Sequence, residues 1–387
     1  MDHKESYLFI LPWPLTSLGG VNQVVENLYK QIKLNGRYVP LILVNSWDDT
    51  RIRRENLNGI DHYFLRIRSP WETNSRISGL LKYALWFYSS RRTLVNFLQE
   101  NNVSAINIHY CSLYALFFCI LKNFRANKWS FIISFHGQDL LQAKMSRGLE
   151  RKLWWRLLSC ADRIVTCSES LKKELVDFSR NCADKVKVIH NGIDCATRVD
   201  MVRDDKNTIY NKRYIINVAT LEHKKGQDVL LKAFKKISDE YKDLNLVLIG
   251  RPGDSSVEIK KLIKSIGLAS RIFLYESVEH VQVMEFIKGA EIFVLPSRYE
   301  PFGIVILEAG LYEVPVIASN VGGVSEIITH NETGRLCNPD DIDSLVSELR
   351  SLLSNPGDRT RLGKNLRKHV VSNFSWDCAY QRYLECV

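Results

Sequence analysis

Leu295-Pro296-Ser297-Arg298-Tyr299-Glu300-Pro301-Phe302-Gly303-Ile304-Val305-Ile306-Leu307-Glu308-Ala309 is the stretch on which the fold turns. It begins at the end of the short apolar, β-branched run Ile292–Leu295, which has the length and composition of a buried strand. Pro301 disfavours helix at Glu300, which puts Glu300 in a loop, and from Gly303 onward the apolar residues recur at helical spacing. Strand, loop and helix in this order form part of a strand-helix-strand unit. The first turn of such a helix carries unpaired amides and the positive end of the helix dipole, a combination that favours a diphosphate. Glu308 follows Glu300 by eight residues, and at about 1.5 Å per residue the two carboxylates lie up to ~12 Å apart along the axis. A glycosidase needs its pair roughly 5–9.5 Å apart across one bond. This pair is better suited to two hydroxyl-bearing ends of a long ligand with a diphosphate between them.

The alternation of apolar runs with helical sequence continues on both sides. Further strands are expected at Val314–Ala318, Leu244–Ile249, Ile272–Tyr275 and Tyr214–Ala219. A polar stretch from about Cys195 to Arg213 precedes them and reads as a linker, with Arg198, Asp200, Arg203, Asp204, Asp205, Lys206 and Asn207. Before it comes a first series of runs at Tyr7–Leu11, Val39–Val44, Val103–Ile108, Phe131–Ser134, Arg163–Thr166 and Val186–Ile189. The expected fold is therefore α/β, with two doubly wound Rossmann-like domains over residues 1–195 and 196–372. A terminal helix, 373–387, is expected to pack back toward the first domain. Two such sheets joined by a hinge place the ligand in a cleft facing the carboxyl ends of the strands.

Composition narrows the class. With 387 residues, 45% apolar and 25% charged, the chain has the profile of a two-domain soluble enzyme. Its longest apolar run, Leu113 to Leu121, is about half of the roughly 18–20 residues that a membrane-spanning helix requires. The amino end has mixed charge and only a short apolar run, Tyr7 to Leu11, before Pro12, so it does not read as a secretion signal and a cytoplasmic location is expected. Nine cysteines without a C-x-x-C pair point to reduced thiols, with no disulfide frame and no metal site. Charge is uneven: residues 1–195 hold 27 Lys+Arg against 17 Asp+Glu, while residues 196–387 hold 26 of each. The first half is therefore suited to something acidic, such as phosphate-bearing lipid, an anionic membrane or nucleic acid. No zinc finger, RNP run or convincing helix-turn-helix supports nucleic acid.

Other motifs stand in order along the chain: Gly19-Gly20-Val21 after the first strand, His136-Gly137 after a middle strand, and Asn191-Gly192-Ile193-Asp194 before the linker. Lys225-Gly226 and Gly322-Gly323-Val324-Ser325-Glu326 follow. Together with the spacing Glu-x-Phe-Gly-x-x-x-x-Glu at Glu300–Glu308, this set resembles the retaining glycosyltransferases with the GT-B fold, family 4, of the glycosyl transferases group 1 type. The resemblance covers essentially the full chain. It implies a hexosyltransferase that uses a UDP- or GDP-type sugar as co-substrate and needs no metal or other cofactor. It also implies the site: Glu300 on the donor sugar, Glu308 on the ribose, and the amides around Phe302, Gly303 and Ile304 on sugar and diphosphate. Lys225 with Lys224 meets the diphosphate, and His136 the transferring sugar. At the end of a strand His136 can hydrogen-bond a sugar or steady developing charge; Asp139 and His109 are weaker candidates with structural readings favoured. Gly20 lets backbone approach phosphate or acceptor.

Two positions depart from the family's pattern. Thr220 in Val218-Ala219-Thr220-Leu221-Glu222-His223-Lys224-Lys225-Gly226 replaces a customary Arg, so phosphate neutralisation falls to Lys224, Arg298 or Arg251. Glu276 stands where a Gly often lines the base pocket, for which Arg251, Glu276 and Val278 are the candidates. On the acceptor side, Arg76 to Leu98 mixes aromatics with basic residues on an expected helix, either a core helix with a basic outer face or an element that lies on an anionic membrane. The expected partners are a nucleotide sugar, a saccharide or lipid-linked saccharide acceptor, and an anionic membrane surface at the inner face of the plasma membrane. A GT-B-fold nucleotide-sugar epimerase and a basic nucleic-acid-binding protein are the alternatives.

Overall fold

The computed structural model describes residues 4–17, 19–70, 76–122, 129–194, 209 and 212–387, with the side chains of 76–80 outside that description. The chain divides into two units, residues 1–190 joined by 376–387, and residues 191–375. Most of the polar stretch read as a linker lies outside the described residues, and so does Leu18, which precedes Gly19-Gly20-Val21.

Unit 1 is built on β1 (Ser6–Leu11), β2 (Val39–Asn45), β3 (Arg53–Leu57), β4 (Ile60–Leu65), β5 (Val103–His109), β6 (Ser130–Phe135), β7 (Arg163–Thr166) and β8 (Val186–Val188). Their order is β3-β4-β2-β1-β5-β6-β7-β8, parallel throughout except where β3 runs antiparallel to β4. Every residue of β1 is buried, which explains its continuous apolar run, since a parallel strand is covered on both faces. The sequence reading omits β3 and β4. β3 is Arg-Arg-Glu-Asn-Leu and largely exposed, so it lacks the apolar face by which strands are recognised. The turn Asn58-Gly59, with positive φ at both residues, is the signal that marks this hairpin. The carboxyl-terminal helix Trp376–Leu384 belongs to this unit and packs on the helix Gly20–Asn35.

Unit 2 holds β9 (Tyr214–Val218), β10 (Asn245–Ile249), β11 (Ile272–Tyr275), β12 (Ile292–Leu295), β13 (Val316–Ser319) and β14 (Arg335–Cys337). They form one parallel sheet in the order β11-β10-β9-β12-β13-β14. The helix Gln227–Ile237 lays Leu230, Phe234 and Ile237 on this sheet, all fully buried, each contributing on the order of 1.5–3 kcal/mol. Buried polar groups fix the sheet's neighbours: Tyr214 Oη donates to Phe286 O at 2.8 Å, and Asn217 Nδ2 to Val294 O at 2.8 Å.

Strand order decides where a ligand can enter. In each unit the chain starts at an inner strand, builds outward on one side, then returns to build on the other. The reversal falls between β1 and β5 in unit 1 and between β9 and β12 in unit 2. Loops that leave the carboxyl ends of such a strand pair diverge and open a crevice.

Candidate active site

In unit 2 the loop after β12 is gripped from both sides. Gly226 (φ +66°), in the loop after β9, lies where a Cβ would come 2.0 Å from Pro296 O. Gly322 (φ +55°), after β13, lies where one would come 2.0 Å from Glu300 O. Both conformation and space restrict these positions to glycine. Gly323 N also donates to Glu300 O at 3.1 Å. These contacts fix the backbone of Glu300 before any ligand arrives.

Glu300 and Glu308 are both buried. Lys225 Nζ donates to Glu300 Oε2 at 2.8 Å, with side-chain exposures of 17% and 9%. Gly303 (φ 101°) caps the helix Ile304–Leu311, and no side chain caps its amino end, which leaves the first-turn amides to a ligand. Because helix begins at Ile304, only the stretch to Glu308 rises at helical pitch, about 6 Å, so the eight-residue estimate overstates the axial separation. Glu308 is 3% exposed, and its Oε1 lies 2.8 Å from Nε2 of His280. Sequence reasoning missed His280, because the contact joins the first residue of one helix to the middle of another, 28 residues apart.

Arg298 is not available for phosphate. Its Nε donates to Asp340 Oδ1 at 2.6 Å, Nη1 to His223 O at 2.6 Å and Asp228 Oδ1 at 2.9 Å, and Nη2 to Asp228 Oδ2 at 3.0 Å. The Asp228 and Asp340 carboxylates hold its guanidinium above the usual arginine range, with desolvation opposing them. Arg298 therefore staples the loop after β9 to the loop after β12, and the expectation that it replaces the customary Arg is corrected. Thr220 is half-buried, and its carbonyl accepts from Gln227 Nε2 at 3.0 Å. Lys224 Nζ sits 2.7 Å from Glu222 Oε2. Among the described residues Arg251 is exposed and makes no ion pair. Glu276 is exposed and pairs with Lys260 at 2.8 Å, while Val278 is half-buried. Phe302 is buried against Phe374, ring centroids 5.8 Å apart, so only its backbone remains for a ligand. The structure thus groups Thr220, Lys224, Lys225, Glu300, Phe302, Gly303 and Ile304 in adjoining loops of unit 2, with Glu308 on the helix that follows.

In unit 1, Gly20 is the exposed first residue of the helix Gly20–Asn35. Asn22, missed from sequence, organises the loop after β1: its Oδ1 accepts from Trp13 Nε1 at 2.7 Å, and its Nδ2 donates to Pro14 O at 3.1 Å and Leu15 O at 3.2 Å. His109 ends β5 and His136 follows β6. Their rings stack 5.2 Å apart, with His109 Nδ1 3.0 Å from His136 Nε2. Burial lowers His136 to about 4, and burial followed by the His136 charge takes His109 well below the usual imidazole range. Asp139 is buried and accepts from the amides of His136 at 3.0 Å, Gly137 at 2.8 Å and Leu140 at 3.0 Å. Burial pushes its carboxyl up to about 7, against the pull of those amides.

The helix Arg76–Glu100 turns three of its aromatics inward: Tyr83 is buried, and Trp86 and Phe87 lie 5.0 and 5.2 Å from the Phe117 ring. Leu81, Leu85 and Tyr88 are exposed on its outer face beside exposed Lys82 and Arg92. Among the described residues no helix is long and apolar enough to cross a membrane.

Two parallel α/β sheets, each with its loops gathered at a strand-order reversal, and an anion-favouring helix start flanked by buried carboxylates define a glycosyltransferase of the GT-B class. Known proteins agree. Residues 18–197 match the family described as Glycosyltransferase Family 4, and residues 201–369 match Glycosyl transferases group 1. Matched in series over most of its length, the chain belongs to this family of glycosyltransferases. An uncharacterized glycosyltransferase of Methanocaldococcus jannaschii is 27% identical over 380 residues, covering 94% of this chain and 93% of its own. The capsular polysaccharide biosynthesis glycosyltransferase CapM of Staphylococcus aureus is 28% identical over 230 residues, 56% of this chain and 58% of that one. Among solved structures, HepE of Anabaena in complex with UDP and glucose superposes with a TM-score of 0.76 at 18% identity, over 98% of both chains.

Proposed function

We propose that this glycosyltransferase moves a hexosyl group from a UDP- or GDP-type sugar to a saccharide or lipid-linked saccharide, with retention of configuration and without a metal ion, in the synthesis of a cell-surface polysaccharide. The observation that carries this reading is the pair of buried carboxylates, Glu300 and Glu308, on either side of an uncapped helix start. Buried carboxylates are costly unless paired, and Glu300 meets the Lys225 ammonium and Glu308 the His280 imidazole, beside loops suited to a ligand. In this reading Glu308 binds the ribose and Glu300 the sugar. The Phe302–Ile304 amides, Lys224 and Lys225 meet the diphosphate, and Arg251, Glu276 and Val278 line the base pocket. Arg251, without an ion pair among the described residues, is the cation best placed to make good the loss at Thr220. HepE, solved with UDP and glucose, and CapM, named for capsular polysaccharide, support donor class and pathway.

The chemistry follows from charge. As the bond from the anomeric carbon to the diphosphate oxygen breaks, its electron pair leaves with the nucleoside diphosphate. Preorganised amides and the Lys225 ammonium meet that charge without reorganising. The acceptor hydroxyl bonds to the anomeric carbon on the same face, and its proton passes to the departing phosphate oxygen. His136 offers the transferring sugar a hydrogen bond, and Gly20 leaves room for phosphate or acceptor. The outer face of the helix Arg76–Glu100, apolar at Leu81, Leu85 and Tyr88 with Lys82 and Arg92 beside it, supports peripheral docking on an anionic bilayer at the inner face of the plasma membrane.

A thermal-shift panel of UDP- and GDP-sugars tests the donor site. Wild type should be stabilised by about 2.7 kcal/mol at a hundred times the dissociation constant, with one base series only, and Glu308→Ala should lose the shift. No shift with either series at millimolar ligand sinks the assignment.

A further inference from the structure

Two neutral imidazoles in contact share one hydrogen-bonding proton, and what lies beyond the second ring decides what the first can do. His109 Nδ1 and His136 Nε2 are 3.0 Å apart, so one nitrogen of His136 is already used. The other, Nδ1, is the nitrogen left for a ligand. On the far side, His109 is fully buried and its Nε2 has no hydrogen-bond partner among the described residues. The rings around it belong to Phe9, at 5.7 Å, and Tyr383, at 6.2 Å.

That dead end distinguishes this pair from a base held by a carboxylate. In a nucleophile-base-acid triad, a buried carboxylate beyond the imidazole stabilises the imidazolium as it forms. Here Asp139, the one buried carboxylate nearby among the described residues, is spent on the amides of His136, Gly137 and Leu140. The other titratable groups facing the cluster, Cys111, Tyr114 and Tyr383, are buried and held in their neutral forms. A proton accepted by His136, which is half-buried, would leave a cation with no counter-charge in hydrogen-bond contact among the described residues, and passing it to the fully buried His109 would take that cation out of water altogether.

We propose that His109 is a positioning residue: it occupies His136 Nε2, closes the hydrogen-bond chain in an apolar pocket, and so holds His136 as a neutral hydrogen-bonding group that presents Nδ1, and not as a proton-transfer base. The consequence for catalysis rests on His136 facing the sugar, as proposed above. The state of the ring pair itself does not, so the two readings can fail separately.

The experiment is nitrogen-15 NMR of the histidine rings in the full chain, labelled at histidine, from pH 5 to 8, with His136→Gln to assign the signal. In wild type the His136 ring should stay neutral across the range in one fixed tautomer. His109→Phe keeps a ring of similar volume without nitrogen. It should release His136 to average between tautomers and move its titration midpoint up, toward the usual imidazole value of about 6.5. His109→Asn, whose amide can stand in for Nδ1, should restore a fixed tautomer. It also keeps the test open where the Phe variant does not fold. A residue that serves packing alone would leave the ring state of His136 unchanged in all three proteins, and that result overturns the proposal. So does a wild-type His136 that titrates with an ordinary midpoint. UDP-sugar thermal shifts on the same samples report separately on the donor site.

Discussion

Replacing Lys225 by Met removes the ammonium and keeps most of the stem, and the consequence can be worked from the structure. Glu300 would keep its burial and its clasped backbone. Its only other side-chain partner among the described residues is the Ser297 hydroxyl at 3.5 Å, too far for a strong bond. Breaking a buried ion pair by removing one member costs roughly 3–5 kcal/mol. Lys225 is 17% exposed, so water reaches the site and the cost should fall to about 2–3 kcal/mol. For a unit spanning residues 191–375, each kcal/mol lowers the melting temperature by roughly 2–4 °C. Lys225→Met should therefore melt about 4–12 °C lower, with the same sign in urea titrations. Glu300→Gln leaves a lysine that can turn to solvent and should cost about 1 kcal/mol. The double variant removes both charges and should be no worse than Lys225→Met, a coupling of at least about 1 kcal/mol. Nucleotide binding separates the roles: UDP or GDP, which lack the transferred hexose, should still stabilise Glu300→Gln and should lose most of their effect on Lys225→Met. Stability changes that add within about 0.5 kcal/mol would refute the argument, because Lys225 and Glu300 would then not depend on each other.

Other substitutions test other parts of the site. Gly322→Ala places a Cβ 2.0 Å from Glu300 O at a positive φ, where the conformation alone costs roughly 1–2 kcal/mol. A total loss above about 3 kcal/mol is expected in urea, with nucleotide stabilisation reduced; a loss below 1 kcal/mol would show that the clasp is loose. Acid should weaken unit 1 through His136, lowered to about 4 by burial. The unfolded chain takes up this proton below about 6.5 and the folded protein does not, so the stability is full above that pH and is lost as pH falls toward 4. Asp139, raised to about 7, acts in the opposite direction in the same window, so the readout is the difference between wild type and His136→Gln. That difference should shrink from pH 7 to pH 5, and a constant difference would contradict the assignment. Finally, Leu81→Glu with Leu85→Glu should abolish flotation with vesicles of phosphatidylglycerol and phosphatidylcholine. Wild-type flotation should itself decline with salt, and equal flotation of both proteins would remove this helix from the membrane.

The local chemistry of the chain was enough for several strands. The spans Arg163–Thr166 and Ile292–Leu295 are read from sequence with the bounds they have in the fold, because strands inside a parallel sheet are nearly unbroken apolar runs; the edge strand Ile272–Tyr275 was legible from its β-branched and aromatic composition. The helix start at Gly303 and the loop position of Glu300 were legible for the same reason, since proline and glycine act on their own neighbours. What the sequence alone did not determine are the choices made across distance. β3 and β14 carry no apolar pattern of their own and exist because a neighbouring strand offers an edge. Arg298 looks like a phosphate ligand until the sheet brings Asp228 and Asp340, 70 and 42 residues away, to its guanidinium. The same holds for His280 on Glu308 and for His109 on His136, 28 and 27 residues apart. A charged or imidazole side chain has one chemistry in sequence and several uses in a fold. Strand order, which sets which loops become neighbours, selects among them.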